Sequence, residues 1–282
     1  MFQKGKLRTI LITGASSGIG KATALYLAAK GYHVIGTSRS SRRLAALQTE
    51  ARERALPLAV IELDINQPQA IEQAIPRLIR EHGTIDVLVN NAGYGLWGPV
   101  ETISITQLKN QFETNLFAPV RLIKAVLPGM KKQGEGLIIN ISSVLGRLAT
   151  PFNGGYASSK FALEGISESL RSEMTPFGIH TVILEPGLFR TSFIDNQVVG
   201  ETTYCPGMLY EPFIANYQRM SLRLRGNAGD PEKVGRVILR IIRSKHPAFR
   251  YTIGMDARLG VIAAKLLPEH LFLYLLRKTT MG

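Results

Sequence analysis

The sequence has few side chains able to form disulfides or bind metals: a single cysteine, Cys205, and five histidines among 282 residues. One cysteine cannot form a disulfide within the chain or build a cysteine-ligated metal site. The histidines show neither HxH nor HxxxH, the spacings that place two metal ligands on one face of a strand or helix. The sequence therefore predicts no disulfide framework and no metal centre, and it is compatible with a reducing compartment.

Long apolar runs are also missing. The basic segment 1–8 is followed by an apolar run, 9–13, that is much shorter than the core of a secretory signal or a membrane-spanning helix. We therefore expect a cytoplasmic protein, with peripheral contact at a membrane as an open alternative.

Acidic residues are scarce relative to basic ones: 21 Asp and Glu against 34 Lys and Arg give a formal charge of +13. The last quarter, 219–282, holds 13 of these basic residues and only four acidic ones. No nucleic-acid-binding motif accompanies the charge, so we expect no nucleic-acid partner. Two interpretations stay open: a solvated basic face that aids solubility, or contact with an anionic membrane surface or substrate.

Apolar, β-branched runs alternate with helical patterns along the chain, and 45% hydrophobic residues suffice for a large core. The predicted strands are 8–13, 33–38, 58–63, 85–90, 136–142, 179–184 and 248–253, and the clearest helices are 21–30, 71–80, 104–132, 155–175 and 230–245. This alternation predicts right-handed βαβ units and a parallel sheet. We expect an α/β fold in one domain: a Rossmann-type doubly wound sheet of about seven strands with helices on both faces.

A glycine-rich turn joins the first strand to the first helix. Glycines at this point let the backbone approach a phosphate closely, and the helix N-terminus supplies N–H donors and a positive dipole. The turn therefore predicts a dinucleotide phosphate site, with an ordinary tight βα turn as the alternative. The predicted contacts are Gly14, Ser16, Ser17, Gly18, Ile19 and Gly20.

The second strand ends at Ser38 and Arg39, where a dinucleotide fold meets the adenosine ribose. An acidic residue there binds the ribose 2′-OH, whereas an arginine accommodates a 2′-phosphate. Arg42 and Arg43 follow, and no acidic residue is within reach. The pattern favours NADP(H) over NAD(H), although Arg42 and Arg43 also suit a solvated helix turn.

Further notable residues lie at or just past the ends of later strands: Asp64, Asn91, Ser143 and Pro186. Ligands of open α/β sheets bind beyond the carboxyl ends of the strands. We therefore expect these residues to contribute to one site.

Tyr156 and Lys160 stand at i and i+4 at the head of a predicted helix, so their side chains share one face. A nearby ammonium favours the phenolate and lowers the phenol pKa, which yields a proton donor usable near neutral pH. Taken alone, the pair also suits a solvated helix face.

Together these features resemble the short-chain dehydrogenase/reductase family across about 8–191. The turn 13–20 is similar to the family's TGxxxGxG motif, and 90–93 to its NNAG motif. Asn115, Ser143, Tyr156 and Lys160 fall where its catalytic tetrad falls. The segments 91–101, 159–165 and 185–191 resemble the branch that contains 17β-hydroxysteroid dehydrogenases, retinol dehydrogenases and NADPH-dependent carbonyl reductases.

The resemblance implies a role for each residue of the tetrad. Ser143 would orient the substrate carbonyl oxygen, and Tyr156 would deliver the proton. Lys160 would lower the Tyr156 pKa and hold the nicotinamide ribose, while Asn115 would keep a water near Lys160 as a proton relay. The implied cofactor contacts beyond the glycine turn are Ser38, Arg39, Asp64, Asn91, Ala92, Gly93, Tyr156, Lys160, Pro186, Gly187 and Thr191.

The remainder of the chain is predicted to serve the substrate. In 192–226, apolar residues scattered among Gly and Pro indicate either a lid over a lipophilic substrate or helices packed on the core. The segment 227–282 is predicted to add helices and the last strand. Its apolar pieces, 259–267 and 270–277, would cover the cleft, form a homodimer or homotetramer contact, or lie on a membrane surface.

The function expected from the sequence is an NADP(H)-dependent oxidoreductase acting on a lipophilic carbonyl/alcohol pair of the retinoid, steroid or acyl-chain type. A reductase of carrier- or CoA-linked ketoacyl groups is the alternative within enzymes. A cofactor-sensing regulator or scaffold without turnover is the alternative of another class.

Overall fold

The computed structural model of the chain describes residues 8–226 and 228–282. The basic N-terminal segment up to position 7 lies outside the described residues, as does Asn227, the first residue of the predicted C-terminal segment.

Seven parallel strands form the main sheet, which confirms the predicted fold class. Across the sheet they lie in the order β3 (Leu58–Glu62), β2 (His33–Ser38), β1 (Thr9–Thr13), β4 (Val87–Asn90), β6 (Gly136–Ile141), β7 (Ile179–Pro186) and β9 (Arg250–Ile253). The strand order reverses between β1 and β4. Connections from these two strands leave in opposite directions, so a crevice opens at their carboxyl ends.

The described residues also form ten α-helices: α1 (Gly18–Ala28), α2 (Ser41–Glu53), α3 (Pro68–His82), α4 (Ile105–Phe112), α5 (Ala118–Gln133), α6 (Gly154–Met174), α7 (Glu211–Gly226), α8 (Glu232–Arg243), α9 (Met255–Leu266) and α10 (Glu269–Thr280). They cover both faces of the sheet. In β1, Ile10 and Ile12 join the apolar cluster beneath α1, α2 and α8, whereas Leu11 joins the cluster beneath α3, α5 and the end of α6. This alternation follows from the two-residue period of a strand, and it explains why both faces of β1 are apolar.

The helix predicted over 104–132 is interrupted in the structure. A π-helical turn, Glu113–Phe117, separates α4 from α5 and carries the buried Asn115. A π-turn inserts a residue without changing the apolar pattern much, so periodicity alone did not locate it. Such turns often occur at functional sites.

The region predicted as a lid packs onto the core through aromatic residues. A short strand, β8 (Val198–Val199), pairs with β5 (Leu96–Trp97) in a two-stranded sheet. From α7, the Tyr217 ring lies with its centroid 5.4 Å from that of Trp97 and 5.6 Å from that of Phe152. This packing fastens α7 to Trp97 and Phe152, and both interpretations of 192–226, a lid over a lipophilic substrate and helices packed on the core, stay predictions.

The C-terminal helices α9 and α10 follow β9. One side of α9 is packed inward: Ala257 is fully buried, and a Cβ placed at Gly260 would lie 3.4 Å from the Leu148 side chain. The apolar residues of the opposite side are exposed. Covering the cleft, one of the three roles predicted for 259–267, therefore explains only the packed side of this helix. Among the described residues, no helix is both long enough and apolar enough to cross a bilayer.

Candidate active site

Three of the predicted catalytic side chains meet beyond the carboxyl end of β6. Tyr156 and Lys160 are buried on the first turns of α6, and Ser143 is the second residue after β6. Tyr156 forms a hydrogen bond with Ser143, and the Lys160 Nζ lies 5.8 Å from the centre of the Tyr156 ring. The Ser143 Oγ accepts from the Leu145 N–H at 3.1 Å, which leaves its own hydroxyl proton free to be donated.

The first turn of α6 is held in place by the segment before it. Phe152 has a φ of +64°, a left-handed conformation that is costly for a residue with a bulky side chain. Its ring is buried against Trp97, with the centroids 5.9 Å apart, and Asn153 donates to the Tyr217 hydroxyl at 3.0 Å. Packing and hydrogen bonds thus hold the backbone that orients Tyr156.

The sequence predicts that Lys160 lowers the pKa of Tyr156, but in the structure the pKa of Tyr156 is raised. Burial raises the pKa of Tyr156 to about 12, and the hydrogen bond with Ser143 opposes this rise. Burial also lowers the pKa of Lys160 to about 8, and its Nζ donates to the Ile141 carbonyl at 2.8 Å. Desolvation of the phenolate therefore sets the direction of the Tyr156 pKa, and the i,i+4 spacing could not reveal this burial.

A buried ion pair lies one turn beyond Lys160 on α6. The Arg250 Nε approaches Glu164 Oε2 at 3.0 Å and Glu185 Oε1 at 3.7 Å. Burial raises the pKa of Glu164, whose negative charge in turn raises the pKa of Lys160 against the larger effect of desolvation. The pair thereby helps Lys160 to keep its proton and ties α6 to the edge strand β9.

We expect the buried Lys160 to make stability depend on pH in a defined direction. Its pKa is about 8 in the folded chain against an ordinary 10.5, so between these values the unfolded chain binds more protons at this site. The free energy of unfolding should therefore rise with pH in this window, by about 2 kcal/mol between roughly pH 7 and 9.5. Denaturant titrations of the wild type and of Lys160→Met should show the difference, since the variant lacks this contribution.

The exposed Lys131→Met is the matched control, because it removes a lysine from the surface and not from the interior of the fold. A wild-type minus Lys160→Met difference that stays flat across the window would contradict the burial of a charged Lys160.

Asn115 ties two parts of the site together. Its Nδ2 donates to the Tyr94 carbonyl at 3.1 Å and to Ser159 Oγ at 3.0 Å, and its Oδ1 accepts from the Tyr94 N–H at 3.2 Å. Ser159 Oγ in turn donates to the Tyr156 carbonyl at 2.7 Å. The side chain of Asn115 therefore joins the segment after β4 to α6 between Tyr156 and Lys160, and its predicted role in holding a water stays a prediction.

The glycine-rich turn has the geometry that a phosphate requires. Gly14 and Gly18 have φ values of +66° and +53°, and a Cβ at Gly20 would lie 2.3 Å from the Gly14 carbonyl oxygen. The N-cap of α1, Ser17, makes no side-chain capping bond, and the first turn carries no acidic residue. The N–H groups of this turn are thus left to an anionic ligand. Ile19 packs against the core beneath the turn.

The adenosine end of the predicted site is formed by the loops after β2 and β3. Ser16 Oγ donates to Ser38 Oγ at 2.9 Å, which joins the glycine turn to the end of β2. Arg39 is exposed, and its charge opposes the rise that burial causes in the pKa of Tyr94. Asp64 accepts from the Asn66 N–H at 3.0 Å in a local turn. Arg39 is therefore exposed at the end of β2 and close enough to Tyr94, in the segment after β4, for its charge to act there.

The segment after β4 is fastened to the glycine turn. Asn91 Nδ2 donates to the Thr13 carbonyl at 2.8 Å, and Thr13 Oγ1 accepts from the N–H groups of Asn91 and Ala92, each at 3.0 Å. A Cβ at Gly93 would lie 2.9 Å from Asn115 Oδ1. Only glycine fits this position without displacing Asn115.

The segment after β7 closes the site from the other side. Pro186 ends β7, and the Gly187 N–H donates to the Ile253 carbonyl at 2.8 Å. Thr191 lies against the glycine turn, 3.2 Å from a Cβ placed at Gly18. The predicted cofactor residues thus come together around one crevice between β1 and β4.

Two residues that join these parts, Thr13 and Ser159, were missed as site residues by the sequence reasoning. Thr13 is a hydroxyl residue at the buried end of an apolar strand, and Ser159 is a small polar residue directly before Lys160. Polar residues at such buried positions need hydrogen-bond partners, and that need is the signal that identifies them.

The crevice fits a dinucleotide. Its turn has uncapped N–H groups and glycines where a Cβ would collide, and an arginine stands at the end of β2. A nicotinamide at the other end would meet the Tyr156, Ser143 and Lys160 side chains.

Comparisons with known proteins agree with this geometry. A family model described as short chain dehydrogenase matches residues 8–201. A 3-ketodihydrosphingosine reductase of Bacteroides thetaiotaomicron is 38% identical over 95% of this chain and 96% of its own length. The retinol dehydrogenase 8 of Bos taurus is 39% identical over 86% of this chain and 80% of its own, which confirms the expected kinship with retinol dehydrogenases.

A solved structure shows that the similarity includes the fold. The alcohol dehydrogenase of the archaeon Thermococcus sibiricus, complexed with 5-hydroxy-NADP, has 26% sequence identity and a TM-score of 0.71. The match covers 88% of this chain and 96% of that one.

Proposed function

Because this chain belongs to the short-chain dehydrogenase family, we propose that it is an NADP(H)-dependent oxidoreductase that interconverts a carbonyl and an alcohol on a lipophilic substrate. The observation that carries the proposal is the meeting of Tyr156, Ser143 and Lys160 beside a glycine turn with uncapped N–H groups.

The choice of NADP(H) rests on Arg39 at the end of β2. This exposed guanidinium stands where a 2′-phosphate would lie, beside the hydrogen-bonded hydroxyls of Ser16 and Ser38. The solved relative with an NADP analogue supports the same choice.

The catalytic residues act on the carbonyl oxygen. When bound, the nicotinamide ring supplies or accepts the hydride at the carbonyl carbon. Ser143 donates a hydrogen bond to the carbonyl oxygen and orients it, and the buried Tyr156 transfers the one proton that completes the alcohol. Burial, which raises the pKa of Tyr156 to about 12, keeps this hydroxyl protonated before the transfer.

Lys160 assists after the proton has left Tyr156. Its ammonium, 5.8 Å from the ring centre, is close enough to stabilise the phenolate that the transfer creates. It also presents N–H donors beside Gly93, where a Cβ would lie 3.8 Å from Nζ, and these suit the ribose hydroxyls. Asn115 maintains this arrangement through Ser159.

The lipophilic substrate is inferred from the aromatic lining. The Phe193 ring lies with its centroid 5.5 Å from that of Tyr156, so the space beside the reacting hydroxyl is bounded by an apolar face. Beyond it, Trp97 and Phe152 are buried together with residues of α7. The names of the relatives, a ketodihydrosphingosine reductase and a retinol dehydrogenase, support the same substrate class.

A substrate panel tests this function. Initial rates of NADPH oxidation should be measured with a retinal, a ketosteroid, a long-chain ketosphingoid base, a ketoacyl-CoA and a sugar aldehyde. We expect kcat/KM for the best lipophilic carbonyl to exceed that for the sugar aldehyde by about 100-fold or more, since each buried methylene contributes about 0.8 kcal/mol.

The same panel separates the alternatives. A clear preference for the ketoacyl-CoA would favour the carrier- or CoA-linked reductase, which the basic last quarter of the chain would suit. Tight NADPH binding without oxidation of any substrate would favour a cofactor-sensing regulator.

A further inference from the structure

The two C-terminal helices expose apolar side chains in a regular pattern. On α9, Met255, Leu259, Ile262 and Leu266 are 71%, 60%, 52% and 74% exposed. Their spacing of i, i+4, i+7 and i+11 places all four on one side of the helix. The opposite side of α9 is the one packed on the core through Ala257 and Gly260.

The helix α10 adds a second apolar row. Leu271, Tyr274 and Leu275 are 38%, 48% and 40% exposed and stand at i, i+3 and i+4, so they share a face. The end of α10 is docked on α7, where the Asn216 Nδ2 donates to the Met281 carbonyl at 2.8 Å. We call the two rows together the C-terminal face.

Basic residues flank both rows. Arg258 and Lys265 directly precede Leu259 and Leu266 on α9, and Arg277 and Lys278 close α10. All four are exposed, and in the part of the chain that the structure describes the ion pairs involve other cations. The Arg258 Nε donates to the Thr252 carbonyl at 3.4 Å, and the Arg277 guanidinium lies 5.8 Å from the centre of the Tyr274 ring, so both keep their charge uncompensated by a carboxylate.

The acidic residues of the two helices do not offset these cations on the face. Asp256 is turned to the backbone, where its Oδ2 accepts from the Leu188 N–H at 2.7 Å. Glu269 stands in the first turn of α10, at the N-terminal end of the helix, where its charge meets the helix dipole. The C-terminal face is therefore apolar along its rows and positively charged at its margins.

We infer that the C-terminal face docks onto an anionic lipid bilayer. Apolar rows with flanking Lys and Arg suit the boundary between headgroups and acyl chains, where leucines enter the apolar layer and cations reach the lipid phosphates. A second copy of the chain is disfavoured, because a two-fold contact through α9 would bring the Arg258 and Lys265 pairs of both copies together.

The position of α9 relates the docking to the proposed reaction. The packed side of α9 lies against Val144 and Leu148, which follow Ser143, so only the width of α9 separates its exposed apolar row from the segment that carries Ser143. This link, unlike the docking itself, rests on the proposed function: a lipophilic substrate would pass from the bilayer to Tyr156 without crossing water.

Vesicle co-sedimentation of the full chain tests the docking without any turnover. The probes are vesicles of phosphatidylcholine alone and of phosphatidylcholine with about 30 mol% phosphatidylglycerol. We expect binding to the anionic vesicles that weakens roughly tenfold or more in Leu259→Ser/Ile262→Ser. Arg258→Gln/Lys265→Gln should weaken it to a similar extent, and raised salt should weaken it in the wild type.

Matched control variants distinguish binding by this face from non-specific binding through any exposed apolar residue. Val100 and Ile105 are 73% and 67% exposed elsewhere on the surface, so Val100→Ser/Ile105→Ser should bind as the wild type does. Thermal melts establish that each variant is folded. Absence of binding, or equal loss in both serine pairs, would overturn the inference. So would a dimer in sedimentation equilibrium that Leu259→Ser/Ile262→Ser dissociates, since a second copy would then occupy the face.

Discussion

Tyr156→Phe should lower kcat for carbonyl reduction by about 10³-fold or more, while the Kd for NADPH changes by less than about threefold. The variant keeps the ring, which packs against Phe193, and loses only the hydroxyl that hydrogen-bonds with Ser143. A proton can then reach the carbonyl oxygen only from Ser143 or from water. Lys160 does not stabilise the anion that either donor would leave. Rates of NADPH oxidation and fluorescence titration with NADPH measure the two quantities.

Tyr251→Phe is the control, because it removes a partly buried phenol hydroxyl far along the sheet edge, where the hydroxyl accepts from the Ala248 N–H. We expect it to keep wild-type kcat. Turnover in Tyr156→Phe close to that of the wild type would remove Tyr156 as the acid, and an equal loss in both variants would point to destabilisation of the fold.

Arg39→Asp should reduce kcat/KM for NADPH by about 100-fold or more and that for NADH by only a few-fold. The change removes a guanidinium from the position proposed for the 2′-phosphate and adds a carboxylate that repels this phosphate. The same carboxylate can accept a hydrogen bond from the 2′-OH of NADH, which offsets part of the loss. Steady-state kinetics with both cofactors at a fixed substrate concentration give the ratio.

Arg80→Asp makes the same change in net charge at an exposed position of α3. It should leave the ratio of the two cofactors unchanged, so a shift that appears in both variants would reflect net charge alone. An equal loss for NADPH and NADH in Arg39→Asp would show that Arg39 does not contact the 2′-phosphate.

The fold was predictable because its signals are local. The βαβ order follows from apolar runs separated by helical patterns, and the seven-stranded parallel sheet confirms it. The pairing of β5 with β8 was not predictable, since each strand has two residues and their partners lie about a hundred positions apart. The π-turn that carries Asn115 likewise leaves no clear trace in the apolar pattern.

The grouping of the candidate site residues was predictable to a similar degree, because strand ends gather at one edge of a parallel sheet. Their electrostatics were not. Spacing placed Lys160 beside Tyr156, but the direction of the Tyr156 pKa depends on burial, which only the packed structure reveals. Thr13 accepts from the distant Asn91 N–H and Ser159 accepts from the Asn115 side chain, and the sequence shows only that each is a polar residue at a position predicted to be buried, not which partner it has.

The transfer of deuterium from NADPH labelled at C4 of the nicotinamide tests the central claim most directly. The wild type, incubated with labelled cofactor and the best lipophilic ketone or aldehyde, should yield an alcohol with deuterium on the former carbonyl carbon, as read by mass spectrometry. Tyr156→Phe should yield almost none in the same time. The contradicting result is recovery of all cofactor and all carbonyl compound unchanged across the panel, with no deuterium on any product carbon. That result would rule out the oxidoreductase proposed for this site.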